Sequence, residues 1–291
     1  MSKVFTRAFR VRWSETNAEG NVDITSYLRY LMETAWDWGA AGGLSLKATN
    51  ALGHAWIVRE TQFSFFRPLR TNDRFDFAIW LIEWRRVRGT RAFEIKRQDS
   101  GEVVAQGAQQ VAVLDIETMR PTSPPAHLLD YYLMEEPRVI PMERFPRLPP
   151  APETGFVMER RVEGRDVDQV GIIDNSVFGA YAEEAAARAL AAAGWPPGDL
   201  AARELLVQPR RFHILHQTPA VWGDRLEVSV YLRALEDTGG EWVIAVQRTD
   251  DDVSIATCTL RWALVDRATG ELQSLPESLL EMLQYGVASA D

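Results

Sequence analysis

One stretch of nine residues, Asp166-Val167-Asp168-Gln169-Val170-Gly171-Ile172-Ile173-Asp174, joins carboxylates, a glycine and the approach to a helix. Adding water to an acyl carbonyl needs a base or nucleophile near the carbonyl carbon, and donors aimed at the oxygen as it becomes an oxyanion. Asp168 can supply the first, either by attacking the carbonyl or by activating a water. Gly171 lets the backbone come close to a ligand, and the free N–H groups at the start of the following helix, around Asn175, can supply the second. An aspartate just before a helix is also what capping alone selects, so the assignment needs support from outside this stretch.

That support is an internal repeat. Residues 151 apart (168 − 17 = 151) match without a gap: Gly20 with Gly171, Asp23 with Asp174, Tyr30 with Tyr181, Glu33 with Glu184, Arg59 with Arg210, Pro68 with Pro219, Asp73-Arg74 with Asp224-Arg225 and Arg97 with Arg248. So many matches in one register mean a tandem duplication. Asp168 falls on Asn17, whose amide orients a water or a carbonyl but cannot act as a base. The two loops are therefore unequal, and one working site is expected around Asp168, completed by residues of the first copy. Glu184 and its match Glu33 sit two to three turns into the helix, where an acid either polarises water or is simply ion-paired. In the first loop, Glu19 and Asp23 either replace the missing acid or cap the helix.

The elements that must hold these residues follow the same order in each copy: a short strand, a turn, a long helix and then strands. Tyr27, Leu28, Leu31, Ala35 and Trp38 recur at helical spacing, with Thr25 or Asp23 as N-cap and Gly42-Gly43 as the stop. Copy two has Asn175-Ser176 ahead of the Ala-rich run 185–193, closed by Gly194 and Pro196-Pro197. Period-two alternation marks strands in 75–80, 93–96, 103–114 and 224–232, with Asp99-Ser100-Gly101 as a hairpin turn. One long helix and one antiparallel sheet per copy give an α+β class with the sheet wrapped about the helix. The expected domains are 1–136 and 155–291, joined by a Pro-rich linker over 137–154 whose prolines favour extended chain.

Composition narrows the partners. A net charge of −9 argues against nucleic acid, which non-specific binding meets with a basic surface. The cluster Trp84-Arg85-Arg86-Val87-Arg88-Gly89-Thr90-Arg91 is read as a solvated strand edge, or as a patch for a phosphate-bearing ligand or an acidic carrier. The sequence has no run of about 18 apolar residues and no apolar core of a secretion signal at its start, so no membrane and a cytoplasmic location are expected. Cys258 alone makes no disulfide and reads as a small buried strand residue. His213 and His216, three apart on a strand, point to opposite faces and make no metal pair; no metal and no cofactor are expected. Trp36, Trp38, Trp56, Trp80 and Trp84 either pack the core or line an acyl tunnel.

The 166–174 stretch resembles the D-x-D-x-x-G-[IHV]-[IV] signature of hotdog thioesterases, which include the 4-hydroxybenzoyl-CoA and acyl-ACP thioesterases. Pro219-Ala220-Val221-Trp222-Gly223-Asp224-Arg225-Leu226 is similar to the P-A-x-x-G-D-x-L strand start of the same group. With the tandem arrangement, His54-Ala55-Trp56-Ile57-Val58-Arg59 and Asp115-Ile116-Glu117-Thr118-Met119-Arg120-Pro121, the chain looks most like double-hotdog acyl-ACP thioesterases. The resemblance implies tandem hotdog domains paired as an internal pseudo-dimer and an acyl-thioester hydrolase of lipid metabolism that releases a fatty acid from acyl-ACP or acyl-CoA. It implies Asp168, Asn17 and Glu184 as catalytic residues, Gly171 and Asn175 on the oxyanion side, acyl carrier protein or coenzyme A as carrier, and a monomer or homodimer of the whole chain. Two positions depart from the plant enzymes, which carry Asn and His two and four residues after the aspartate where this chain has Val170 and Ile172, so a His-assisted mechanism is not expected. A non-catalytic acyl-binding module and an acyl-thioester dehydratase or hydratase are the alternatives. The second needs a histidine that neither loop contains.

Overall fold

The computed structural model describes residues 3–152 and 155–284. Positions 1–2, 153–154 and 285–291 of the expected domains and linker lie outside the described residues. The chain divides into two compact units, Met1–Glu143 and Arg144–Asp291.

In unit 1, β1 (Phe5–Arg10) leads through a 3-10 turn at Trp13–Glu15 to α1 (Ile24–Ala41) and the short α2 (Leu46–Ala51). Then come β2 (His54–Phe65), β3 (Arg74–Arg85), β4 (Arg88–Arg97), β5 (Val103–Asp115), the two-residue β6 (Pro121–Thr122) and α3 (Ala126–Tyr132). Its antiparallel sheet runs β1-β3-β4-β5-β2, with β6 beside β5. α1 begins at Asp23, whose Oδ1 accepts the Ser26 N–H at 2.6 Å, while Thr25 lies inside the helix. It ends at Gly42, followed by Gly43 at φ +87°, the left-handed region where glycine carries no Cβ penalty.

The apolar stripe of α1, including Tyr27, Leu28 and Leu31, is buried on the sheet. Tyr30 meets Phe75 at 4.9 Å and Tyr27 meets Phe65 at 5.0 Å between ring centroids, so Phe63, Phe65, Phe75 and Phe77 form the helix-facing layer. The opposite face of β3 and β4 is also apolar. There Trp80 and Ala92 pack with Ile140, and the Trp80 indole N–H donates to the Arg138 carbonyl at 2.7 Å. Residues 137–143 thus run extended along the outer sheet face, which is why the alternation in β3 is apolar on both sides.

Unit 2 repeats this plan with β7 (Phe156–Arg161), a 3-10 turn at Gly164–Asp166, α4 (Val177–Ala192), α5 (Pro197–Ala202), β8 (Leu205–His216), β9 (Arg225–Glu236), β10 (Gly239–Arg248), β11 (Ser254–Asp266) and α6 (Glu277–Gln284). Its sheet order is β7-β9-β10-β11-β8. Leu148 packs on Tyr231 and Val243, and the Tyr231 hydroxyl donates to the Pro149 carbonyl at 2.9 Å, so residues 145–149 cover this unit's outer face as 137–143 cover the other's. Cys258 is fully buried on β11, and burial pushes its thiol well above the ordinary range. Among the described residues no helix is long and apolar enough to cross a membrane.

Candidate active site

Both loops ahead of the long helices are built by one device. The Asp168 Oδ1 accepts the backbone N–H groups of Val170 at 2.9 Å and Ile172 at 3.4 Å, while its own N–H bonds the Ile172 carbonyl at 2.8 Å. Asn17 does the same, its Oδ1 accepting from Glu19 and Asn21, each at 3.1 Å. The loop therefore needs only an acceptor oxygen, which Asp and Asn supply equally. The positions two and four after the aspartate serve through their backbone, whatever their side chains. Gly20 and Gly171 sit at φ +77° and +85°, and open space lies where a Cβ would project. Here glycine answers to the turn's backbone rather than to a crowded neighbour.

What differs is the second oxygen. Asp168 Oδ2 bonds no described residue, so a carboxylate with one oxygen tied and one free stands on an exposed loop. Although the residue is exposed by area, the chain around its carboxyl is close enough for desolvation to raise its pKa, aided by the charge of Asp174 and opposed by the backbone N–H bonds.

The helix starts differ too. In unit 2 the Asp174 Oδ1 accepts from the Ser176 N–H at 2.8 Å and the Ser176 hydroxyl at 2.5 Å, a tighter turn than the Asp23–Ser26 bond of unit 1, and α4 begins at Val177. This leaves Asn175 with neither its backbone N–H nor its amide bonded to any described residue. Beneath the loop, the Tyr30 hydroxyl donates to Glu15 Oε2 at 2.6 Å, whereas its counterpart Tyr181 has a buried hydroxyl without a partner. Asp166, in the place of Glu15, is one methylene shorter: it caps the Glu163 N–H as Glu15 caps the Arg12 N–H, but it does not accept the tyrosine hydroxyl. Burial pushes the Tyr181 phenol up to about 12.

The helix glutamates are engaged. Glu184 accepts from Arg188 Nε at 2.5 Å and lies 3.9 Å from Arg160, and Glu33 pairs with Arg7 at 3.0 Å. Glu19 uses its backbone N–H to tie the Asn17 loop, and Asp23 is the cap of α1. His213 is buried against Phe145, and the His216 ring packs on Phe178. Among the described residues no three His, Cys, Asp or Glu side chains gather to hold a metal ion.

Unit 1 also holds an apolar pocket of about 720 Å³, open mouth included, between the second half of α1, the sheet and α3. Trp36, Trp38, Trp56 and Trp84 line it with Tyr132, while Trp80 does not. Trp84 stands against Trp56 at 5.5 Å, held by its indole N–H on the Arg86 carbonyl at 2.8 Å. In unit 2 the positions of Trp36 and Trp38 are Ala187 and Ala189 on the helix, and that of Val111 is Trp262 on the strand, stacked on Trp242 at 6.2 Å. The bulk has moved from helix to sheet. The pocket also contains Arg91, which does not behave like the rest of its cluster: Arg85, Arg86 and Arg88 are exposed around the β3–β4 hairpin, while Arg91 turns inward. The signal for it lay in the repeat, where Arg91 falls on Trp242.

No curated protein matches the sequence. Among solved structures, an oleoyl thioesterase (putative) from Lactobacillus plantarum superposes with a TM-score of 0.78 at 16% identity, covering 94% of this chain and 97% of that one. An acyl-ACP thioesterase from Bacteroides thetaiotaomicron gives 0.73 at 16% identity over 90% and 100% of the two chains. The 12:0-ACP thioesterase from Umbellularia californica gives 0.73 at 13% over 91% and 98%. These likenesses give the double-hotdog fold. The sequence profile described as "Thioesterase-like superfamily" matches twice, over residues 11–131 and 162–283, one match in each repeat, and the chain belongs to that superfamily.

Proposed function

We propose that the chain hydrolyses acyl thioesters, releasing a fatty acid from acyl-ACP or acyl-CoA, with Asp168 as general base or nucleophile. The observation that carries this reading is the half-tied Asp168 carboxylate. One oxygen is fixed by two N–H groups, the other is free, and desolvation raises its basicity above that of an ordinary aspartate. The unbonded N–H of Asn175 supports an oxyanion role for that position, with Gly171 shaping the turn that precedes it. Asn17 has only an amide to offer and orients a water or a carbonyl. Glu184, already paired with Arg188 and Arg160, acts by its charge rather than by proton transfer. The tryptophan-lined pocket of unit 1 is an apolar volume suited to an acyl chain.

The test is free-thiol release from matched acyl-ACP and acyl-CoA series that differ only in chain length. Turnover with one carrier favoured fixes the carrier. Tight binding with no thiol released from any substrate sinks the hydrolase reading in favour of a non-catalytic binding module.

A related prediction concerns how the pocket wall is built. A Cβ on Gly89 would lie 2.4 Å from Trp84 Cε3, so Gly89→Ala must displace the indole. It is expected to cost about 1–3 kcal/mol by overpacking, and to change which acyl lengths are turned over, read from denaturation and from the same length series. An unchanged length profile would remove Trp84 from the acyl site.

A further inference from the structure

Across the sheet of unit 1, one row of side chains is polar where its copy is not. Thr61 on β2 pairs with Gln109 on β5, which pairs with Arg91 on β4. Gln109 Nε2 donates to Thr61 Oγ1 at 2.8 Å, and Arg91 donates to Gln109 Oε1 through Nε at 2.8 Å and through Nη2. In unit 2 the same row, in the same register, is Phe212, Leu260 and Trp242. The fold thus closes this row with purely apolar side chains in one copy, so its architecture does not demand a cation in the other.

Arg91 meets no carboxylate among the described residues; its one polar partner is the neutral Gln109, and Nη1 donates to none of them. The residue as a whole keeps some surface because it lines the pocket, yet its charged end is so enclosed that desolvation pulls the guanidinium down to about 10. The sequence holds 41 acidic residues, yet none of those described compensates this buried cation. An unpaired charge in an apolar cavity is costly, and a guanidinium matches a carboxylate through parallel N–H bonds. Gln109, itself tied to Thr61, holds Nε and Nη2 and so orients the free edge, while the surrounding indoles give it an apolar wall.

We propose that this pocket takes an acyl group whose far end carries a carboxylate, paired to Arg91: the substrate class is the monothioester of a dicarboxylic acid. The inference rests on the thioesterase reading for the reaction, but not for the binding.

Two measurements test it. The first is kcat/KM for coenzyme A thioesters of α,ω-diacids against methyl-ended acyl groups of equal carbon number, with wild type, Arg91→Met and Arg91→Lys. At the best-fitting length the diacid thioester is expected to win by about tenfold or more, the scale of one charge-assisted hydrogen bond. Arg91→Met should abolish that preference and Arg91→Lys retain part of it. A wild type that prefers methyl-ended chains at every length, or a preference that survives Arg91→Met, overturns the proposal. The second is calorimetric binding of free diacids and monoacids, which needs no turnover. Diacid binding lost in Arg91→Met upholds the inference even if no thioester is hydrolysed. Equal Arg91-dependent binding of monoacids overturns it, because the carboxylate recognised would then be the head group of a released acid. Should Arg91→Met fail to fold, the wild-type comparison and Arg91→Lys decide.

Discussion

Asp168→Asn is expected to lower kcat/KM for thioester hydrolysis by about a hundredfold or more, the scale of a general base, without lowering the melting temperature. The first copy is a natural control for the second half of that statement. Asn17 builds the same loop with the same two N–H bonds, so an amide at 168 keeps both bonds and loses only the free basic oxygen. The sign of the stability effect follows from the raised pKa. Because the folded state holds the Asp168 proton more tightly than the unfolded chain does, this group stabilises the fold below the unfolded value. That contribution disappears as pH rises through the folded value. At neutral pH the ionised carboxylate is a small burden that Asn removes, so stability is expected to hold or rise. Activity runs the other way: the acid limb of the kcat/KM profile should lie above about 3.9, the value of an unperturbed aspartate. Glu184→Gln, which removes a carboxylate already shared with Arg188, should leave that limb in place. An Asp168→Asn enzyme with near wild-type turnover, or an acid limb at or below the ordinary aspartate range, would remove Asp168 from the chemistry.

The repeat made much of this legible. Residues 151 apart share backbone roles, so the loop, the long helix and the strands of one copy validate those of the other; the hairpin at Asp99-Ser100-Gly101 forms with Gly101 at φ +71°. The short α2 and α5 escape because six residues carry too little periodicity; α4 ends at Ala192, ahead of Gly194 and Pro196-Pro197 as expected, and Pro197 also opens α5. Arg91 is a different case. Within the run from Arg85 to Arg91 every arginine looks alike, and only the repeat, which sets Arg91 against Trp242 and the others against Glu236, Asp237 and Gly239, separates the exposed hairpin cations from the one that enters the pocket. Side-chain ties such as Glu184 with Arg160, 24 positions away, are likewise invisible in a single helix.

Where the copies differ, the differences are complementary. Unit 2 keeps the acid and fills its core with Trp242 and Trp262; unit 1 has the amide, carries indoles on the helix as well as on the strands and opens a pocket. Duplication followed by such a division separates two conflicting demands. A well-packed core resists a cavity, which forfeits dispersion contacts and burial. A proposed reactive loop tolerates exposure and an unpaired oxygen. Each copy meets one demand while retaining the same sheet and helix.

The largest stability effect is expected at the place where unit 1 is packed most closely. Gly107 on β5 lies between Phe63 and Phe93 in the sheet row, and those two rings approach to 4.5 Å between centroids. A Cβ there would stand 1.9 Å from the Gln62 carbonyl oxygen and 2.5 Å from Phe93 Cζ. The first is backbone of the paired strand and cannot turn aside, so a side chain must part β5 from β2 or expel the Phe93 ring. Gly107→Val is therefore expected to cost about 3 kcal/mol or more, at or beyond the upper end for overpacking. Unit 2 gives the contrast, because position 258 carries Cys and the residue matching Phe93 is Ile244, with no ring to collide. There Cys258→Ala only shortens a buried side chain and should cost about 1 kcal/mol. Urea unfolding of the two variants beside wild type reads both values. A Gly107→Val protein that unfolds with the wild-type midpoint would mean that β2 and β5 are not in such close approach, and the wall that carries Thr61, Gln109 and Arg91 would need a different construction.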